Sequence, residues 1–137
     1  MERFTAGTTV LDRAEATELL GRKDVGRVVI ALGGDAEIFP VNYVLGEGCN
    51  ILFRTGPGSK LASAVVAHEV AFEVDEVGGD QAWSVIVRGP ARVRTDSSAL
   101  SVTDALSLRP FIDDGKYEVV EVLAERVSAR GFGRTWS

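Results

Sequence analysis

The sequence predicts a mainly β fold, a small antiparallel barrel with short helices, and three observations carry that expectation. Apolar runs rich in Val, Ile, Phe and Tyr recur along most of the chain. Turn signals separate them, at Gly33-Gly34-Asp35, Gly46-Glu47-Gly48 and Gly78-Gly79-Asp80. The longest run alternates, with Trp83, Val85, Val87, Ala91 and Val93 set against Ser84, Arg88, Arg92 and Arg94. A period of two is the mark of a half-buried strand.

Taken in order, residues 1–10 read as a mobile lead-in. Asp12 opens a helix, because Asp12 and Glu15 stand at capping-box spacing, and Leu11, Leu19 and Leu20 supply its apolar side. The stretch 26–32 is β-branched and apolar and forms the first strand. Ile38 to Leu45 is the second, with Phe39, Val41, Tyr43 and Leu45 on one face; Pro40 puts part of it at an edge or a bulge. Asn50 to Arg54 is the third strand of the meander. A helix over 59–67 turns Leu61, Val65 and Val66 inward, and the fourth strand runs over 69–77. The long fifth strand covers 83–94 and bends at Gly89-Pro90. A helix from Ser97 to Leu108 ends before Pro110, since the residue preceding a proline avoids helical geometry. Residues 116–130 return to β structure. The expectation is about six strands and three short helices in one domain spanning 1–137.

The bulk numbers set outer limits. The 137 residues are 45% hydrophobic and 26% charged, an ordinary globular composition. A formal net charge of −5 argues against nucleic-acid binding, which wants a basic face. No apolar run approaches the roughly 20 residues of a membrane span, so no membrane partner is expected. The single cysteine, Cys49, permits no internal disulfide, which fits a reducing compartment; the expected location is the cytoplasm.

The most chemical stretch runs from Asn50 to Leu61. A strand ends in Arg54-Thr55, a glycine-rich turn follows, and Ser59-Lys60 opens a helix. Each part suits a phosphate. Arg54 offers a bidentate guanidinium, Lys60 a point charge, and Thr55 and Ser59 offer hydroxyl donors. The helix start adds free N–H groups and the positive end of its dipole. Gly56 and Gly58 let the backbone approach closely. The spacing is not that of a Walker A loop, and the parallel context of one is missing. An ordinary tight turn with Ser59 as N-cap and two solvated cations is the competing reading.

The order of helix, three-stranded meander, Arg-Thr-Gly-x-Gly-Ser-Lys loop, helix, strand, long strand, helix and final strand resembles the pyridoxamine 5′-phosphate oxidase-like flavin-binding superfamily. The likeness extends over residues 11–130. Phe39-Pro40-Val41-Asn42-Tyr43-Val44 looks like that family's second strand, whose backbone runs beside the isoalloxazine ring, and Trp83 to Gly89 looks like its long strand. The resemblance implies a six-stranded antiparallel split barrel that binds FMN at a homodimer interface and oxidises or reduces a small organic substrate. Carried over by position, Arg54, Thr55, Ser59 and Lys60 would hold the FMN phosphate. Pro40, Val41 and Asn42 would line the ring, Phe53 would pack near it, and Trp83 and Ser84 would approach from the neighbouring strand. Arg130, Arg134 and Trp136 are weaker contributors. The histidine that grips substrate phosphate in true pyridoxamine phosphate oxidases has no counterpart in the C-terminal stretch, so the smaller, nitroimidazole-reductase-like members are nearer. The alternatives within this fold are the deazaflavin F420, whose acidic tail would suit a groove of Arg88, Arg92 and Arg94, or haem, or a flavin-binding module without turnover.

Other residues have plain structural readings. His68 stands at a helix exit, where histidines meet the last carbonyls. Cys49 reads as a small hairpin residue, and Trp83 as core or interface packing. Asp75, Glu76 and Asp80 lack metal-ligand spacing and read as a solvated face. Arg88, Arg92 and Arg94 are expected to pair with Glu73 and Asp75 across strands. No side chain stands out as a general acid or base.

Overall fold

The computed structural model describes residues 7–56, 59–78, 81–104 and 118–133. Its elements are β1 (Thr8–Leu11), α1 (Arg13–Leu20), β2 (Val25–Leu32), β3 (Asp35–Leu45), β4 (Ile51–Thr55), α2 (Lys60–Ala67), β5 (Val70–Gly78), β6 (Gln81–Gly89), β7 (Ala91–Arg94), α3 (Ser97–Asp104), β8 (Glu118–Val122) and β9 (Arg126–Phe132). The strands lie in the order β1-β9-β6-β5-β2-β3-β4-β8-β7, and every pairing is antiparallel. Strand β3 belongs to two sheets. Sheet A holds β1, β9, β6, β5, β2 and most of β3; sheet B holds the end of β3 with β4, β8 and β7. The architecture is the mainly β split barrel that the sequence predicts.

Among the described residues nine strands stand where about six are expected, for three physical reasons. The lead-in is not loose throughout: Thr8–Leu11 pairs with Ala129–Phe132 as an edge strand. The long fifth strand breaks at Pro90, which has no N–H to give a ladder. There the chain leaves sheet A and enters sheet B. A Cβ on Gly89 would come within 1.8 Å of the Leu123 carbonyl oxygen, so only glycine fits this crossing. The last β segment divides into β8 and β9 around Leu123–Glu125, where Glu125 N–H donates to the Arg88 carbonyl at 3.1 Å. The expected helix over 97–108 is present to Asp104, and its remainder lies outside the described residues.

Local signals place the first elements. Asp12 accepts from the Glu15 N–H at 2.8 Å, and Glu15 accepts from the Asp12 N–H at 3.1 Å, a complete capping box. Gly33 and Gly34 both have positive φ, which the tight β2–β3 hairpin requires. The core lies between the inner strand faces and the helices. Trp83, Phe53, Phe72, Leu20, Ile30 and Ile51 are fully buried in it. Helix α1 packs on β9 and β6, α2 on β7 and β2, and α3 on the outer face of sheet B over β4. Among the described residues, no helix is long and apolar enough to cross a membrane.

Candidate functional site

The site begins where the two sheets part. Strands β3 and β4 pair only over Tyr43–Leu45 and Ile51–Phe53. Beyond that, β3 continues against β2, while β4 continues against β8. From Asp35 to Asn42, β3 has β2 on one side and no strand on the other among the described residues. Continuing the β3–β4 register would set Thr55 level with Val41. The glycine-rich loop therefore opens at the seam, opposite the unpaired edge of β3.

Thr55 and Ser59 are brought together, their hydroxyl oxygens 2.8 Å apart. Ser59 also caps α2, accepting the Ala62 N–H at 3.0 Å. A capping hydroxyl and a strand-end hydroxyl thus converge on the positive end of an eight-residue helix. Lys60 is exposed, and among the described residues no carboxylate pairs with it. Pro57 and Gly58 lie outside the described residues.

Arg54 goes elsewhere. Alternation along β4 turns Phe53 and Thr55 to one face and Arg54 to the other. Its guanidinium donates to Thr103 Oγ1 at 2.8 Å, to the Leu100 carbonyl at 2.9 Å and to Asp104 Oδ1 at 2.7 Å, all on α3. The period-two rule that identified the strand already carried this signal; the grouping of Arg54 with the loop passed over it.

The other predicted residues divide by face. Pro40 is exposed and Asn42 half-buried on the outer face of β3, whereas Val41 turns inward against the core. The Phe53 and Trp83 side chains are fully buried; the Trp83 indole N–H donates to Glu76 Oε2 at 3.2 Å. Ser84 is on the outer face of sheet A, in register between Asp75 and Arg130. Arg134 and Trp136 lie outside the described residues. Cys49 is buried with its Sγ 3.1 Å from Thr17 Oγ1, and His68 ends α2.

The arginines form no single groove. The bend at Pro90 puts Arg88 on sheet A and Arg92 and Arg94 on sheet B. Their expected partners are also different. Glu73 and Asp75 both meet Arg27, Asp75 at 3.0 Å. Arg92 meets Glu121 at 2.7 Å, and Arg94 meets both Glu121 and Asp96. Two clusters therefore escaped the sequence. Glu121 is 3% exposed and also accepts from Asn50 at 3.4 Å; its one signal was a carboxylate inside the apolar run Val119-Val120-Glu121-Val122. Asp96 accepts from Arg94 and from the Ala99 N–H at the start of α3, which holds its carboxyl down to about 2. On sheet A the opposite occurs. Burial and a hydrogen bond with Asp75 raise the Glu73 carboxyl above its ordinary range, while the same bond lowers Asp75.

The comparisons with known proteins agree with one another. A family described as pyridoxamine 5′-phosphate oxidase matches residues 12–131. The uncharacterized protein Rv0080 of Mycobacterium tuberculosis is 32% identical over 125 residues, covering 86% of this chain and 81% of the relative. The solved FAD binding protein of Mycobacterium smegmatis is similar at a TM-score of 0.79 and 36% identity, with 92% of this chain and 99% of that one covered. A FAD-binding protein of Mesorhizobium loti is similar at 0.77 and 25% identity, covering 90% and 97%.

Proposed function

This chain belongs to the pyridoxamine 5′-phosphate oxidase family, and we propose that it is a flavoprotein that holds FMN at the seam between its two sheets. The observation that carries the reading is the convergence of Thr55, Ser59, Lys60 and the α2 N-terminus opposite the unpaired edge of β3. The donor chemistry suits a phosphate: two hydroxyls, an ammonium without a carboxylate partner, and helix N–H groups. Thr55, Ser59 and Lys60 would hold the phosphate. Pro40, Val41 and Asn42 would border the ring along the β3 edge. Two similar solved proteins are named as binding FAD, which supports a flavin as the ligand class.

A bound flavin supplies hydride and electron transfer that no side chain here offers. The residues of this chain would hold its phosphate and border its ring. The activity that follows is flavin-dependent oxidation or reduction of a small organic substrate, in a homodimer located in the cytoplasm. Arg54 acts from behind the site, tying the strand that ends in Thr55 to α3.

Titration of the purified chain with FMN, followed by quenching of flavin fluorescence, tests the reading. Saturation near one FMN per chain is expected. Lys60→Ala should weaken that binding about tenfold while leaving the unfolding midpoint unchanged, since Lys60 is exposed. Failure of FMN and FAD alike to saturate would remove the flavin assignment.

A further inference from the structure

We infer that Glu118 faces the phosphate cradle and makes it select a singly charged phosphate ester, so that the flavin is an exchangeable ligand whose affinity falls as the pH rises through neutrality. The inference rests on the reading of the seam as a flavin site and adds the residue that sets how tightly the phosphate is held.

Register brings the carboxylate to the cradle. Thr55 and Glu118 are direct partners across the antiparallel β4–β8 pair. Side chains of directly opposed residues point to the same face, with Cβ atoms about 5 Å apart. Here it is the inner face on both strands. Phe53 and Val120 lie in the main core, whereas Leu52 and Val119 pack with Ala99 of α3 on the other side. Thr55 Oγ1 is in turn 2.8 Å from Ser59 Oγ, the cap of α2. Glu118 is half-buried, and among the described residues it has neither a hydrogen-bond nor an ion-pair partner.

Few charges face that point. Lys60 opens α2 and is exposed; among the described residues no carboxylate is within ion-pair distance of it, so Lys60 and Glu118 are not in direct contact. Arg54 is on the outer face, engaged by Thr103, Leu100 and Asp104. Arg94, on the far side of β8, is on the outer face too, paired with Asp96 and Glu121. Among the described residues, one cation and one anion therefore face the cradle, and their formal charges cancel. The α2 N-terminus adds about half a positive charge. A phosphate monoester carries one negative charge below roughly pH 6 and two above it, because its second proton leaves there. The helix end nearly matches the singly charged form. The doubly charged form sets a further negative charge against a carboxylate about 5 Å away, where like charges repel appreciably even at the effective dielectric of a protein surface. Bound phosphate therefore keeps a proton that free phosphate has lost. Binding takes that proton up, and its cost grows with pH. A second arginine in the cradle would reverse the balance, but the nearest one is committed to α3.

Flavin fluorescence titrations near pH 6 and near pH 8, with riboflavin as the phosphate-free probe, test this. The FMN affinity of the unaltered chain should fall about tenfold between the two, and the riboflavin affinity should not change. Glu118→Gln and Glu118→Ala should each bind FMN about tenfold more tightly at the higher pH, flatten the dependence on pH and leave riboflavin unmoved. Both should fold as the unaltered chain does by circular dichroism, since they remove no hydrogen bond or ion pair among the described residues. An FMN affinity equal at both pH values, or variants that bind FMN no more tightly, overturns the inference, while FMN saturation in those cases leaves the flavin reading standing. A chain that saturates with neither FMN nor riboflavin removes the flavin reading and the inference with it.

Discussion

The outer faces of the two sheets meet the same requirement in opposite ways. Both carry arginines and carboxylates on alternate residues of neighbouring strands. On sheet B the charges are matched and a helix covers much of them. Glu121 takes Arg92 and Arg94, Asp96 takes Arg94, and Arg54 reaches α3 through Thr103, Leu100 and Asp104. Ala99 of α3 then buries with Leu52 and Val119, so a small apolar contact sits among the ion pairs. On sheet A no helix lies over the outer strand face among the described residues, two carboxylates share one arginine, and four large apolar side chains face outward. The contrast is that of a face whose charges are matched within the chain and one whose apolar side chains stay exposed. Asp96 is held down by a cation and a backbone N–H, whereas Glu73 is raised by burial and by its hydrogen bond with Asp75.

Three substitutions test that contrast, in descending order of effect. Glu121→Ala should destabilise the chain by about 2–3 kcal/mol, because it removes the carboxylate that accepts from Arg92 and Asn50 and leaves Arg94 with Asp96 alone. Urea unfolding measures it, and a loss no larger than that of an exposed ion pair would mean that face B is not held by charge. Arg54→Ala should cost about 1–2 kcal/mol by releasing α3, yet lower flavin affinity less than Lys60→Ala does. A larger effect on flavin than on stability would return Arg54 to the phosphate. The smallest effect belongs to Glu73→Gln. An acid whose folded pKa is raised stabilises the fold fully below its unfolded pKa, and that contribution is lost as pH rises through the folded value. The variant should therefore lose less stability than the unaltered chain as pH rises above the ordinary glutamate range. Parallel curves would mean that the pair is not strained in solution.

Much of the fold was legible because its signals are local. The Asp12–Glu15 box, the Gly33-Gly34 hairpin and the alternation through Trp83, Val85 and Val87 each lie within a few residues of what they determine. What was not legible depends on distant partners. Thr8–Leu11 is a strand only because residues 129–132 lie beside it. Arg27 meets Glu73 and Asp75 because β2 and β5 are neighbours across three intervening elements, which no local spacing reveals. The candidate site was half legible for the same reason. Thr55 and Ser59 are four residues apart and meet across the loop, whereas Arg54, expected near Lys60, binds a helix some fifty residues onward.

The open run of β3 has a consequence for the behaviour of the chain in concentrated solution. An unpaired strand invites another to add to it, and repeated addition ends in aggregation. Pro40 stands near the end of that run and has no N–H to contribute to a growing ladder. The edge can stay uncovered while refusing a passing strand, so Pro40, which stands in the segment proposed to border the ring, also acts as a guard against misassembly.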